Sequence, residues 1–214
     1  MKKTMKVTLV AGLIIFGATT ANAQLGIQAG YVNSKFNTKN TFLKYAHGDK
    51  GYNGFEVGLT YDMGIQGPVG LHYGVLYTMT KNNKDLIAVG GNSITAKRTG
   101  HYLNVPFRLT VGGNVSNAVR LFAYGGPNFT IGLSGKTTNT ANILNVSGGK
   151  DYSWYGDHNE ALSRFDLKLG LGAGVQFHHF VLTAGYDWGL INSVGLDNST
   201  LKRNQLNVSL GYQF

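Results

Sequence analysis

Residues 164–177 read Arg-Phe-Asp-Leu-Lys-Leu-Gly-Leu-Gly-Ala-Gly-Val-Gln-Phe, and this stretch decides the fold. Every odd position, from Phe165 to Phe177, is apolar, and every even position, from Arg164 to Gln176, is polar or glycine. Side chains of a β-strand point alternately to opposite faces, so the pattern predicts a strand, whereas a helix would spread the apolar residues around its circumference. The strand is about twice the 5–6 residues typical of soluble sheets, which is long enough to cross an outer membrane at a tilt.

The same alternation recurs seven more times, and the connections between strands are alternately long and short. The eight predicted strands are 24–33, 53–63, 69–80, 100–111, 119–133, 164–177, 180–190 and 204–214. Outer-membrane barrels have this rhythm, with short periplasmic turns and longer extracellular loops. We therefore predict an all-β fold, an eight-stranded antiparallel up-and-down transmembrane β-barrel with both termini in the periplasm. Pro106 cannot donate to a ladder, so we expect a local bulge there.

Soluble lipocalin-like barrels also have eight up-and-down strands, but they bury apolar side chains and expose polar ones. Here one face of each strand is almost wholly apolar and the other carries charges. Only 14% of the residues are charged, against about 25% in soluble domains. After Ala23 no segment is apolar enough for a spanning helix. The other structure in which every backbone polar group is hydrogen-bonded in lipid is a closed barrel. The pattern indicates the outer membrane.

The N-terminus has the features of a secretory signal peptide. Three lysines among the first six residues precede an apolar run from Val7 to Ala18 and the small-residue site Ala21-Asn22-Ala23. This arrangement predicts cleavage between Ala23 and Gln24, with a signal peptide at 1–23 and a barrel domain at 24–214. The chain has no cysteine, which excludes a lipid-modified cysteine and thiol chemistry.

The polar faces of the predicted strands place four acidic and four basic residues in the lumen: Glu56, Asp62, Asp166 and Asp187 with Arg108, Arg120, Arg164 and Lys168. Eight strands leave an interior that side chains just fill, so these charges must pair. Strand directions predict two ion-pair layers without an open pore. Asp62, His72, Arg108 and Arg120 form the layer nearer the periplasm, and the others lie nearer the outside.

The net charge of +9 falls to +6 once the three lysines of the signal peptide are removed. The short turns at 64–68, 112–118 and 178–180 contain no charged residue, so the excess lies on the predicted extracellular side. Clustered cations attract the phosphates and acidic sugars of lipopolysaccharide over about a Debye length, ~8 Å. We predict lipopolysaccharide contact near the strand ends, and loop solubility is the alternative reason for the charge. The proposed contact residues are Lys81, Lys97, Arg98, Lys202 and Arg203.

Three stretches resemble the PorT-type outer membrane β-barrel domain family of Bacteroidota: 102–109, 165–177 and 186–192. That family is similar in architecture to the OmpA and OmpX barrels. The resemblance implies the same fold and location for the whole mature chain, and it does not assign a function. It also implies that the aromatic end of the last strand, Tyr212 and Phe214, is read by the barrel-assembly machinery.

Other chemistry finds little support in the sequence. Gly170, Gly172 and Gly174 lie within a strand rather than in the turn before a helix that a nucleotide-binding loop needs. His178-His179 and the stretch 157–160 lack an established metal-ligand spacing. We expect no metal, cofactor or nucleic-acid partner, and we expect a monomer.

Three roles are open for such a barrel. We favour a surface-binding or structural role, and an accessory of a secretion system is the second possibility. An enzyme that modifies lipid A is the third. A serine hydrolase would require Ser34, Ser163 or Ser193 to meet a histidine and a carboxylate at the membrane rim.

Overall fold

A computed structural model of the chain describes residues 23–38, 51–89, 92–143, 146–155, 163–192 and 201–214. These residues form nine strands: β1 (Ala23–Thr38), β2 (Tyr52–Gln66), β3 (Val69–Val89), β4 (Asn92–Asn114), β5 (Val119–Ile143), β6 (Val146–Ser153), β7 (Phe165–Phe177), β8 (Phe180–Gly189) and β9 (Leu201–Gln213). Eight of them pair antiparallel in a closed ring, and β6 pairs with β5 outside that ring. The predicted eight-stranded antiparallel barrel is confirmed. Residues 1–22 of the predicted signal peptide lie outside the described residues.

The two ends of the barrel differ. Three tight turns, at 67–68, 115–118 and 178–179, define what we call the short-turn end. At the opposite, long-hairpin end, β3 and β4 stay paired as far as Val89 and Asn92, and β5 continues to pair with β6. The connections expected at 81–98 and 135–162 therefore contain strand. Their threonine, asparagine and lysine residues lack the apolar alternation that marks a strand in lipid, so sequence periodicity ends before backbone pairing does.

The irregular points of the ladder are not where the sequence placed them. The register between β3 and β4 is the same on both sides of Pro106, so the predicted bulge is absent there. Proline removes one backbone donor, which interrupts the ladder without adding a residue. Register shifts lie instead at Gly64/Gln66 in β2, at Asp85/Ile87 in β3 and at His101/Tyr102 in β4. At the last of these, His101 pairs with Ser134 and Tyr102 pairs with Gly132.

Burial in the ring is the reverse of burial in a soluble barrel. The outward side chains of the central ring are mostly apolar and about half exposed, as are Ile27, Leu59 and Leu171. The inward face holds threonine, asparagine, glutamine and charged side chains that are almost fully buried. An apolar outer wall around a polar interior suits a lipid environment. In the described part of the chain, no helix has the length and apolar character of a membrane span.

The glycines of β7 make room for larger side chains inside the barrel. A Cβ at Gly172 would collide with the Tyr124 ring, and one at Gly174 would collide with the Phe122 ring. A Cβ at Gly170 would come close to the carboxylate of Asp187. The polar-face glycines that the sequence showed therefore let two aromatic rings and a carboxylate lie against the wall.

Candidate functional site

Asp187 is the centre of the polar network that fills the middle of the barrel. Its Oδ2 accepts hydrogen bonds from the amides of Asn128 at 3.0 Å and Asn207 at 3.3 Å, and its Oδ1 lies 3.5 Å from Arg108 Nη2. The Arg108 guanidinium also covers the ring of Tyr124, 4.7 Å from the centroid. The sequence placed Asp187 and Arg108 in separate layers. The structure brings them together because the two side chains extend toward each other across a narrow interior.

Two further predicted lumen charges are held by neutral partners. The Glu56 carboxylate accepts hydrogen bonds from Ser209 at 2.9 Å and from Gln28 at 3.3 Å. Lys168, which has 0% exposure, donates to Gln205 Oε1 at 3.0 Å. Amides and hydroxyls thus take the place of some of the expected ion pairs.

Asp166 pairs with an arginine that the sequence assigned to the surface. Arg203 Nε lies 3.4 Å from Asp166 Oδ2, and the guanidinium lies 3.9 Å above the ring of Tyr102. Arg203 is only 3% exposed. The prediction that Arg203 contacts lipopolysaccharide is therefore wrong. β9 begins at Leu201 rather than at 204, and the extra residues turn Arg203 to the inner face.

Arg98 is the second such correction. It is 9% exposed, faces inward and donates a hydrogen bond to Tyr52. β4 begins at Asn92 rather than at 100, so the alternation that places Asn104 and Arg108 inside extends back to Arg98. Arg98 therefore does not lie on the surface that would meet lipopolysaccharide.

The remaining predicted lumen charges lie toward the ends of the barrel. His72 Nδ1 and Asp62 Oδ1 are 2.9 Å apart, and Asp62 Oδ2 accepts from Gln213 at 2.8 Å. Arg120 contacts the Phe122 ring, 5.8 Å from its centroid, rather than a carboxylate, since it lies at the open short-turn end. Arg164 precedes β7, is exposed and donates to the carbonyl of Leu133. Within the described ranges, neither Arg120 nor Arg164 forms its predicted ion pair with a lumen carboxylate.

An aromatic cap covers the interior at the long-hairpin end, and the sequence did not indicate it. After β6 the chain turns inward, and Trp154 lies on Gly135 while Tyr155 lies on Gly132. The Trp154 ring packs edge-on against Tyr52, 6.2 Å between centroids, and its Nε1 donates to Thr137 at 2.7 Å. We define the cap as Tyr52, Tyr102, Trp154 and Tyr155.

Tyr155 remains neutral in this cap. Burial raises the pKa of its phenol far above the ordinary value, and the neighbouring Tyr102 adds to the effect. The Arg164 guanidinium lies 5.0 Å from the Tyr155 ring centroid, so a cation lies over one face of the ring. A glycine opposite each ring is the signal that sequence reasoning could have used.

Small cavities remain between the described side chains of the interior. Two cavities bounded by described residues, one near Tyr124 and one near Tyr155, have about 20 Å³ each. One water needs about 10–15 Å³. The wider space, about 600 Å³, is the open mouth at the short-turn end, lined by residues that include Arg120 and Gln176.

Three of the five residues predicted to contact lipopolysaccharide do face outward. Lys81 on β3, Lys97 on β4 and Lys202 on β9 are exposed on the outer wall at the long-hairpin end. Lys35 on β1 and Lys136 on β5 are also exposed there. We call these five residues the lysine band: Lys35, Lys81, Lys97, Lys136 and Lys202.

The other predicted positions are placed as follows. Phe214 is 65% exposed at the short-turn end, and its ring packs edge-on against Tyr212. Of the three candidate serines, Ser34 is buried, and Ser163 Oγ donates to the carbonyl of Phe165. Ser193 and the stretch 157–160 lie outside the described residues. In the described ranges no group of three or more histidine, aspartate or glutamate side chains could hold a metal ion.

Comparison of the sequence with known protein families identifies a match. The family described as outer membrane protein beta-barrel domain matches residues 18–195. A comparison of the sequence with curated proteins yields no match.

Solved structures of similar fold include three bacterial proteins. Ail, the attachment invasion locus protein of Yersinia pestis, in complex with the heparin analogue sucrose octasulfate, is 20% identical over 90% of this chain and 99% of its own, with a TM-score of 0.44. Neisserial surface protein A is 14% identical over 90% of this chain and 99% of its own, with a TM-score of 0.42. The translocator domain of NalP from Neisseria meningitidis is 11% identical over 100% and 98% of the two chains, with a TM-score of 0.32. Likeness at this level carries no inference about a ligand or an activity.

Proposed function

The chain belongs to the outer membrane protein β-barrel domain family, and on that premise we propose that it is a closed, non-enzymatic barrel that binds lipopolysaccharide at the cell surface. The observation that carries the proposal is the lysine band, which is exposed on the outer wall just beyond the apolar zone. Cations at that height lie beside the phosphates of neighbouring lipids, where they attract anions over about 8 Å.

The interior supports a role without transport. Side chains of the Asp187 network and of Lys168 occupy the middle of the barrel, and the aromatic cap covers one end. A solute therefore has no continuous path past the described side chains. The proposed role lies on the outer surface of the molecule.

The orientation is part of the same proposal. We place the long-hairpin end outside the cell and the short-turn end, with both termini, in the periplasm. The signal peptide at 1–23 would direct export, and the charge-free turns at the short-turn end suit the periplasmic face of a barrel. This orientation brings the lysine band to the leaflet that contains lipopolysaccharide.

The proposal is tested with a variant in which Lys81, Lys97 and Lys202 are all replaced by glutamine. We expect less lipopolysaccharide to co-purify, and its retention to depend less on salt. The matched control replaces the same three lysines with arginine, which keeps the charge, and it should retain the wild-type amount. Unchanged retention by the glutamine variant at both low and high salt would end the proposal.

A secretion-accessory role is the second candidate, and it depends on the finer PorT-type resemblance of residues 102–109, 165–177 and 186–192. It predicts that crosslinking in intact cells captures components of a secretion system. The proposed surface barrel predicts a monomer that is crosslinked to lipopolysaccharide and, during insertion, to the barrel-assembly machinery. An unchanged lipid A mass after incubation with the purified protein would argue against an enzyme.

A further inference from the structure

A concave polar surface lies on the outer wall where β1, β2 and β3 leave the apolar zone. It has a volume of about 610 Å³ and is lined by Asn33, Lys35, Gly51, Asn53, Lys81, Asn82 and Asn83. Pockets that hold small molecules typically have about 300–1,000 Å³. Among the described residues, the lining contains two lysines and four asparagines and no carboxylate, so it offers cations and hydrogen-bond donors together.

Three of these residues stand side by side. Asn33 pairs with Asn53 across β1 and β2, and Asn53 pairs with Lys81 across β2 and β3. Neighbouring strands are about 4.8 Å apart, so the row is about 10 Å wide. A phosphate at its centre could contact the side chains of all three strands.

The amide of Asn53 is held in one orientation. Its Oδ1 accepts hydrogen bonds from Tyr31 Oη at 2.7 Å and from Asn33 Nδ2 at 2.5 Å. Both acceptor positions of that oxygen are thus occupied. The Nδ2 group donates to no other group in the described part of the chain, and its hydrogens are available to a ligand.

Gly51 and Asn82 form a fixed floor beneath this row. Asn82 Nδ2 donates to the Gly51 carbonyl at 2.9 Å from the inner side of the wall. A Cβ at Gly51 would lie 2.5 Å from Asn33 Nδ2, so glycine lets the Asn33 amide lie close against the backbone. The donors are thus positioned before a ligand arrives, which lowers the entropy cost of binding.

The surface lies at the height of lipid headgroups. Tyr31 is half exposed on the outer wall, with its hydroxyl on Asn53, and Phe55 beside it on β2 is apolar and equally exposed. Tyrosines in this position mark the boundary between hydrocarbon and headgroups, because the ring lies in lipid and the hydroxyl reaches polar groups. Lipid phosphates are the anions concentrated at this height, so we commit to a lipid as the source of the ligand.

We propose that the surface formed by Asn33, Lys35, Asn53 and Lys81 binds one phosphate monoester of a glycolipid headgroup in the outer leaflet. The inference rests on the proposed function and makes it specific, since it replaces a diffuse band of charge by a single site. Lys35 and Lys81 neutralise the phosphate, and the Asn53 amide donates to one of its oxygens. Charge-assisted contacts of this kind are stronger than neutral ones.

The experiment measures the binding of lipid A to the folded protein in detergent by native mass spectrometry. The probes are lipid A carrying its phosphates and the same lipid after enzymatic dephosphorylation. We expect one phosphorylated lipid per barrel and at least about tenfold weaker binding of the dephosphorylated lipid. Equal binding of both lipids would overturn the proposal.

Asn53→Asp is the test variant, because it keeps the shape and places a carboxylate where the phosphate should lie. We expect about tenfold weaker binding or more, as one donor is lost and a like charge is added. Asn117→Asp is the matched control, since Asn117 is exposed in a turn at the opposite end. Heat-modifiable migration of both variants shows that they are folded.

The two proposals fail differently. If Asn53→Asp binds phosphorylated lipid like the wild type while the triple glutamine variant has lost salt-sensitive retention, the localised site is wrong and the diffuse lysine band stands. If neither variant changes binding, both are wrong. Weaker binding by Asn53→Asp with normal binding by Asn117→Asp supports the site.

Discussion

Arg108 on β4 and Asp187 on β8 meet across the interior of the barrel, with 3.5 Å between Nη2 and Oδ1. Both side chains are almost completely buried, so each compensates a charge that water does not reach. Removing one partner of such a pair costs about 3–5 kcal/mol, because the other charge remains buried alone.

Asp187→Asn should therefore lower the free energy of unfolding by about 3–5 kcal/mol, measured by denaturant titration in lipid vesicles. The double variant Asp187→Asn, Arg108→Met removes both charges and should recover a large part of the loss. An Asp187→Asn barrel as stable as the wild type would show that the pair does not stabilise the fold.

The closed interior predicts a low conductance even without the cap. Replacing both Trp154 and Tyr155 by alanine removes the rings that lie on Gly135 and Gly132 and widens the end of the barrel. Lys168 and Asp187 still fill the interior below. Planar-bilayer recordings should show no steady large conductance for the wild type or for this variant. A large conductance in the variant alone would identify the cap as the barrier.

The turn between β7 and β8 contains a left-handed residue other than glycine. His178 has φ 51°, a conformation that costs an ordinary residue about 1 kcal/mol. His178→Gly should therefore raise the free energy of unfolding by about 0.5–1 kcal/mol. His179→Gly is the control and should lower it, because the His179 ring stacks on Tyr212 and bonds the Gln213 carbonyl.

The exposed aromatic end predicts an assembly defect. Phe214→Asp places a charge at the lipid rim, where a charge lowers the stability of a barrel by only about 0–1 kcal/mol. The variant should thus be stable once folded but slow to insert, so that pulse-chase labelling shows delayed heat-modifiable protein. Val115→Asp is a control with similar exposure at the same end, and it should insert at the normal rate. Equal rates for both would contradict the assembly role of Phe214.

The sequence predicts the ring well because lipid imposes a strict rule on each side chain. The alternation from Phe165 to Phe177 matches the alternation of outer and inner positions in β7. The faces of Glu56 and Asp187 follow from the same rule, since a charge on the outer wall would face hydrocarbon. Such a constraint acts on one strand at a time, so it can be read from local sequence.

The prediction fails where lipid no longer acts on the strand. Beyond the apolar zone both faces are polar, so periodicity gave no reason to continue β4 back to Arg98 or β9 back to Arg203. Extending the same alternation by a few residues would have placed both side chains inside. The meeting of Arg203 with Asp166, or of Trp154 with Gly135, depends on contacts distant in the sequence, which no local pattern contains.

The pairing of β1 with β9 joins the first and last strands of the ring, and Phe214 N donates to the carbonyl of Leu25 at 2.8 Å. β9 must be synthesised before this seam can form, so a chain that stops short of β9 leaves one edge of β1 without backbone partners. The adjacent ends also make the chain suitable for circular permutation. A short linker would join the two ends across the seam, and new termini would be opened in the 178–179 turn. Every pair of neighbouring strands would be kept, and only the covalent connection between β7 and β8 would be lost. The permuted chain would have the same ring of strands but would end on β7 instead of β9. It would therefore show whether assembly depends on which strand is last or on the ring itself.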